Sequence, residues 1–521
     1  MARLFMRNFF SMRNIFVFLS INLFLVSQLS TAFGDDSVKL LTLEDAIRIT
    51  VLHNEDIAVG QNRVDVYDAD ALSAEAPYDT SLFYNGGYSR WNDLSEKDYA
   101  SPANPAKDYV THEAGVRQHF YTGSEVTLSY SDKQTENLGL VGSPSSYSRD
   151  YASILVTQHL LEGIADAEQQ GNLEKAKLKI DESKEGLRQT AMGVINNLIQ
   201  QYWFFVQSRL YVDIAQDTLN LAEEVLRRER QREKSGLVKM VDVYRAEAAV
   251  EERRYTLLEF KRNSEVAQDR LKMVMNSPVF NANWSVQVRP STSLGEIVIP
   301  IADQNKAVAE AFKSRPELRQ LDILMQQLGI DIDINDNKLL PDLDLSFEYR
   351  TETAVNALRS AEDFQDTPEQ GSLGVGLFFS IPIQNSEAEG AVKRSTALLR
   401  IAKKQNDKAR NGITVEIRRA IHNLDLARRG ISVTRRAVKK SEETAMAERR
   451  LFELKQISNR DLLTAQDELG RNKMNYVRSM VDGKIAVASY DYARGILLDT
   501  YKVTAKDLEP KAVKNAEVAE N

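Results

Sequence analysis

Apolar positions in this chain follow two rhythms. From Leu187 they fall at steps of four and three: Ala191, Val194, Leu198, Gln201, Phe205, Ser208, Val212, Ala215, Leu219, Ala222 and Leu226, with only Gln201 and Ser208 polar. Ile413, Ile417, Ala420, Leu424, Ala427, Ile431, Thr434 and Val438 repeat the pattern in the second half. Alternating steps of three and four turn one seam of a helix toward a partner, as in a coiled coil. One helix over residues 164–232 would be roughly 100 Å long. Such a rod suits the bridging of a wide gap rather than the filling of a globule. Each long helical pattern breaks and resumes, at residues 234–243 and 454–463. Gly236 supplies a helix terminator at the first break, so both predict helical hairpins.

The second rhythm is that of strands. Four stretches in the first half alternate or carry aromatics at strand spacing: residues 80–91, 110–120, 125–131 and 151–159. Tyr121-Thr122-Gly123-Ser124 reads as a tight turn between two of them. The second half has two such stretches, 343–350 and 372–382. Long polar segments at 92–108, 132–150 and 351–370 separate the stretches. Long polar loops on one side and short turns on the other fit an outer-membrane barrel. Tyr84, Tyr88, Trp91, Tyr130, Phe347 and Tyr349 are candidates for its aromatic girdles. About eight strands merely fill with side chains, so four to six per chain close no pore without further copies. Three chains of four strands make 12 and three of six make 18; both counts stay open.

The order helix, strands, long helix, returning helix occurs twice. Thr42 caps the first helix, which runs to about Pro77. Its counterpart begins near Ala307 and Ala311 and ends near Pro341. Asn54-Glu55 occupies the place of Arg315-Pro316-Glu317, and Asp242 and Ala246 align with Asp461 and Ala465. This is an internal duplication with a period far above that of solenoid repeats.

The amino-terminal residues 1–34 read as an export signal. Arg3, Arg7 and Arg13 precede the apolar run 15–26, and Ala32 and Gly34 offer a cleavage site. A transmembrane anchor is the alternative, but the run is short for a span of about 20 residues. The chain has no cysteine, which excludes disulfides, thiolate chemistry and cysteine metal sites. A formal charge of -8 over 521 residues makes no electrostatic case for nucleic acid. His53, His112, His119, His159 and His422 show no metal-ligand spacing, and no phosphate-cradling glycine loop is present. Neither an enzyme active site nor a cofactor is expected.

The mature chain, from about Thr42 to Leu498, resembles the TolC-type outer-membrane efflux proteins. Four places carry the resemblance: Leu43-Glu44-Asp45-Ala46 with His53-Asn54-Glu55-Asp56-Ile57; Gln158-His159-Leu160-Leu161-Glu162-Gly163, where His159 stands for the family's proline, and its repeat Ser380-Ile381-Pro382-Ile383; Gly236-Leu237-Val238 with Asp242-Val243 and Ala246; and Asp461-Leu462-Leu463 with Ala465. The resemblance implies a mainly α fold with a membrane β region. Long coiled-coil hairpins would form a periplasmic tunnel, and a homotrimer would share one β-barrel. It implies an exit duct of a tripartite efflux pump or type I secretion system, working with a periplasmic adaptor and an inner-membrane pump. The segments would be a signal peptide (1–34), a first helix (35–79), strands (80–160), a long hairpin (161–276), an equatorial insertion (277–302), the second repeat's helix (303–341), strands (342–383) and hairpin (384–500), and a tail (501–521).

The resemblance also places candidate sites. Asp461 matches a lumen-constricting aspartate; Thr464 stands where a second is usual. Asp242 matches a residue holding the closed tips, whose customary basic partner falls on Ile457, leaving Arg460 as a substitute. Both aspartates also sit where a helix N-cap belongs. Gly236, Leu237 and Val238, with Lys455 and Ile457 on the second tip, form the expected adaptor-docking surface. A periplasmic coiled-coil adaptor or structural protein without a pore is the alternative; it would lack girdled strands.

Overall fold

The computed structural model describes residues 39–92, 106–138, 146–356, 370–454 and 456–509. The expected export signal, most of the expected tail and Lys455 lie outside them. The elements are β1 (Lys39–Leu41), α1 (Leu43–His53), α2 (Glu55–Ala74), β2 (Ser81–Asn92), β3 (Ala106–His119), β4 (Ser124–Leu138), β5 (Ser146–His159), α3 (Ala167–Lys234), α4 (Met240–Met275), α5 (Pro278–Ala282), β6 (Val288–Pro290), α6 (Gln304–Ser314), α7 (Pro316–Asn337), β7 (Asp342–Asn356), β8 (Gln370–Ser380), α8 (Ser386–Glu453), α9 (Asn459–Arg494), α10 (Leu497–Thr500) and α11 (Ala505–Leu508). They group into two compact units.

One unit holds residues up to 54, 195–300 and 423–488. The sequence seam is its core. Val212, Ala215, Leu219 and Ala222 of α3 pack with Val250 and Leu257 of α4, Phe452 of α8, and Leu462 and Leu463 of α9. The polar seam residue Ser208 is tolerated because its hydroxyl bonds Phe205 O at 2.8 Å and Ser264 Oγ at 3.3 Å. Away from the seam, charges pair one helical turn apart, as Arg228 with Glu224 at 2.6 Å. β1 and β6 form a short parallel pair. Buried Tyr202 of α3 fixes that pair: its hydroxyl donates to Leu41 O at 3.0 Å and also shares a hydrogen bond with the Thr292 hydroxyl at 2.8 Å. Fully buried Lys272 holds the loop after α5, donating to Trp284 O at 2.7 Å.

The other unit holds residues 55–194, 301–422 and 489 onward. It contains an open antiparallel sheet in the order β2-β3-β4-β5-β7-β8. The β5–β7 ladder, His159↔Asp344 to Tyr147↔Asn356, joins strands of the two sequence repeats. Its helices bury apolar residues such as Val64, Leu173, Leu187 and Leu318. Gly60 of α2 sits where a Cβ would meet Leu187 at 2.8 Å, and Gly171 of α3 where one would meet Ile334 of α7 at 2.6 Å.

Two sequence expectations change. The helix read from Thr42 to Pro77 is two helices meeting at Asn54, whose extended backbone (φ -69°, ψ 130°) ends the first. Thr42 does cap α1, its Oγ1 accepting the Asp45 amide at 3.0 Å. The strands reach into the segments read as polar loops: β3 starts at Ala106, β4 continues to Leu138 and β5 starts at Ser146. The extensions are rich in polar and charged residues, such as Lys107, Asp108, Asp132, Lys133, Gln134, Arg149 and Asp150, so no apolar alternation marks them in the sequence.

Candidate functional site at the hairpin tips and the sheet

At the first tip α3 ends in a Schellman arrangement. The Leu237 amide bonds Arg232 O at 2.9 Å and the Gly236 amide bonds Glu233 O at 2.7 Å, with Gly236 left-handed at φ 70°. Two orphan carbonyls are satisfied, and only glycine takes that conformation without strain. The geometry pushes Leu237 outward, 58% exposed, while Val238 is half-buried. At the second tip Ile457 is half-buried and packs against the core cluster. Its expected role as an exposed docking residue is thus weaker than that of Leu237.

The two aspartates are not equivalent. Asp461 belongs to a capping box at the start of α9: its Oδ2 accepts the Ser458 amide at 3.1 Å and the Ser458 hydroxyl at 2.8 Å, and the Asp461 amide reaches Ser458 Oγ at 3.3 Å. Those bonds from Ser458 hold the exposed Asp461 carboxyl below the ordinary carboxylate range. Asp242 caps nothing, since the N-cap position of α4 is Lys239 and receives no side-chain bond. Its carboxylate lies 3.5 Å from Arg245 on its own helix, not beside Arg460. Thr464 turns its hydroxyl back to Arg460 O at 2.9 Å, as threonines within helices do.

Contacts between the two returning helices run through residues that the sequence reading missed. Buried Asn459 donates to Asp242 O at 3.1 Å. Buried Arg253 of α4 reaches Asp467 of α9 at 2.7 Å. Ser458-x-x-Asp461 was a readable capping signal; Asn459 and Arg253 gave none, because their partners are far away in sequence.

The sheet has two chemically opposite faces. Successive strand residues point to opposite sides, and the register carries one row across all six strands: Leu82, Val116, Leu128, Ile154, Tyr349 and Leu373. The adjacent row on the other face is Phe83, Gly115, Ser129, Ser153, Arg350 and Ser372. On β8 the apolar face is bare, with Leu373, Val375 and Leu377 each at least 65% exposed. From Leu343 to Tyr349 it covers about 20 Å along β7, close to the about 25 Å band of outer-membrane barrels. Tyr84, Tyr88, Tyr130, Phe347 and Tyr349 lie on this face. Trp91 does not: it is seven residues beyond Tyr84 on an unbroken strand and faces the polar side. The β5–β7 pairing also sets His159 Nδ1 2.5 Å from Asp344, with Asp342 close by. These are ligand types that sequence spacing could not bring together, although the hydrogen bond to Asp344 already occupies that ring nitrogen.

Residues 307–489 match the outer membrane efflux protein family. No curated protein sequence matches the chain. In fold it is similar to the Campylobacter jejuni CmeC outer membrane channel, with a TM-score of 0.63 at 14% identity over 92% of this chain and 94% of that one. It is also similar to the outer membrane protein VceC of Vibrio cholerae, at 0.62 and 13% over 87% and 96%. The open-state MtrE outer membrane channel of Neisseria gonorrhoeae gives 0.61 and 13% over 87% and 89%.

Proposed function

Because the chain resembles the TolC-type outer-membrane efflux proteins in sequence over its second half and in fold over most of its length, we propose that it is the outer-membrane exit duct of an efflux or type I secretion system. One observation carries this reading: an open sheet with a bare apolar face continues directly into helices of 68 residues. An open sheet in lipid leaves unbonded edge groups, which cost several kcal/mol each. Closure with further copies removes both edges, and we take the assembly to be a homotrimer. The apolar face would meet outer-membrane lipid, the polar face would line water, and the long helices would bridge the periplasm. The duct is passive, and a pump in the inner membrane supplies the energy.

Asp461, helped by Asp242, Arg460 and Thr464, is proposed to lie at the periplasmic constriction. Three Asp461 carboxylates held together would favour cations. The capping bonds at Ser458 support this role, because they keep Asp461 ionised and fixed in place. Gly236, Leu237 and Val238, with Lys455 and Ile457, are proposed to receive a periplasmic adaptor. Exposed Leu237 is the apolar anchor of that surface.

Planar-bilayer conductance of the detergent-purified mature protein tests the duct. Small, steady, cation-selective steps are expected, with divalent-cation block weakened by Asp461→Ala. A protein that stays soluble without detergent and gives no conductance would instead be a periplasmic coiled-coil protein.

A further inference from the structure

Among the described residues, the first sequence repeat carries four strands between its helices, and the second carries two. The surplus hairpin could be a decoration standing outside the membrane or a part of the wall. We infer that β3–β4 is built into the membrane wall, so that the duct has 18 strands, six from each copy, sealed between β8 of one copy and β2 of the next. The inference rests on the duct reading above.

Three observations carry it. First, the hairpin is interior to the sheet. All 12 residues of β2 pair with β3, and β4 pairs with β5 from Ser124↔Gln158 to Glu136↔Ser146. A wall of four strands per copy would break one of these ladders and strand its amides and carbonyls in lipid. The free edges are those of β2 and β8.

Second, the hairpin has the two-faced chemistry of the wall. Ala114 and Val116 on β3, and Val126, Leu128 and Tyr130 on β4, continue the apolar face. Leu128 and Tyr130 are bare, at 46% and 53% exposed. Glu113, Arg117, Glu125, Thr127 and Ser129 continue the polar one. There Arg117 pairs with Glu125 at 3.4 Å, and Ser129 bonds Ser153 of β5 at 2.9 Å. A hairpin projecting into water has no use for a bare apolar face in register with its neighbours.

Third, its turn is locked into the end of the sheet from which the helices leave. Gly123 is left-handed (φ 76°), and a Cβ there would lie 2.6 Å from Gly163 O. Gln158 and Gln170 donate to Thr122 O and Tyr121 O, at 3.0 and 2.5 Å. Tyr121 stacks on Tyr78 at 4.0 Å, and the Tyr78 hydroxyl bonds buried Asp166 at 2.6 Å. Asp166, itself left-handed at φ 48°, also lies 3.3 Å from His119. Left-handed backbone at a non-glycine residue is retained only where surrounding contacts enforce it.

The consequence is the width of the exit. At about 4.8 Å per strand and about 40° of tilt, 18 strands enclose a backbone diameter of about 35 Å, against about 24 Å for 12. Barrels of 16–18 strands hold an aqueous channel. The inference thus implies a wider wall at the outer membrane than four strands per copy would give.

The chain has no cysteine, so single cysteines report cleanly. Glu113→Cys, Ala114→Cys, Leu128→Cys and Ser129→Cys are placed in the full-length assembly in lipid nanodiscs. Each is exposed to a water-soluble, membrane-impermeant maleimide. Ser346→Cys and Phe347→Cys on β7 are the controls. Labelling of positions 113, 129 and 346, with 114, 128 and 347 spared, is expected. Labelling of all four hairpin positions while β7 still alternates would overturn the wall hairpin and leave the duct intact. Loss of alternation on β7 as well would remove the duct reading itself. For the seam, Leu82→Cys is combined in turn with cysteine at Leu373, Val375, Leu377 and Phe379. One combination should give disulfide-linked multimers on oxidation; none doing so would reject the β8–β2 closure.

Discussion

The two repeats solve the same joint with different chemistry. In each, the break after the first short helix docks against the end of the returning helix. In the first repeat the joint is neutral and reciprocal: Asn54 donates to Val274 O at 2.9 Å, and Asn276 donates to His53 O at 3.0 Å. In the second it is ionic. Arg315, only 7% exposed, reaches Glu416 at 2.6 Å, Glu317 at 2.7 Å and Tyr492 O at 3.1 Å, and lies over the Tyr492 ring. Both returning helices end in a left-handed residue, Asn276 (φ 47°) and Gly495 (φ 80°). A duplicated backbone thus keeps the positions and the dihedral angles, while the side chains that satisfy them drift. What is held fixed is that a helix-end carbonyl at each joint finds a side-chain donor: Val274 O and His53 O in the first, Tyr492 O in the second.

The difference can be broken at graded cost. Gly495→Ala should be the most damaging change, at about 3 kcal/mol, because it adds left-handed strain to a Cβ lying 2.9 Å from the Ser314 backbone. Gly236→Ala meets nothing within 4 Å. It should cost only the strain, about 1 kcal/mol. Denaturant unfolding of the two variants checks the order, and equal losses would mean that the Gly495 contact is not tight. Arg315→Met should cost about 2 kcal/mol, since Glu416 and Glu317 keep some access to water, against about 1 kcal/mol for Asn54→Ala. If Asn54→Ala is the worse of the two, the ionic joint adds nothing.

The smallest effect contrasts the two tips. Ser458→Ala should loosen the start of α9 by about 1 kcal/mol, and no capping side chain exists at Lys239 to lose. The Asp461 carboxyl is depressed below its ordinary 3.8 in the folded chain. Its stabilisation is therefore full above that value and is lost as pH falls through the folded pKa. Protection of the amides at residues 458–461 against hydrogen exchange, taken relative to the intrinsic rate at each pH, should fall in acid, whereas residues 239–242 should lack this capping component. A parallel fall in protection at both tips would indicate a global loosening instead.

Much of this was legible in the chain. The seam residues Leu198, Phe205, Ala215 and Ala222 sit in the core because a repeat of three and four leaves a helix one face to bury. The Gly236 turn and the Thr42 cap were equally readable, being local bonding problems with few solutions. That Asp242 lies beside Arg245 of its own helix within one chain was not legible, because pairings among helices depend on their rotation and offset, which no local pattern records. Asn459 and Arg253 were missed for the same reason.

The sequence by itself determined the helices, their breaks, the duplication and the existence of strands, because each follows from the periodicity of neighbouring residues. Only the tertiary structure decided that six strands share one sheet, that Trp91 faces away from the other aromatics, that His159 meets Asp344, and that the returning helices join through Asn459. Register and long-range pairing depend on residues far apart in the chain, 217 positions for Asn459 and Asp242, and a one-residue slip of a strand reverses every side chain on it.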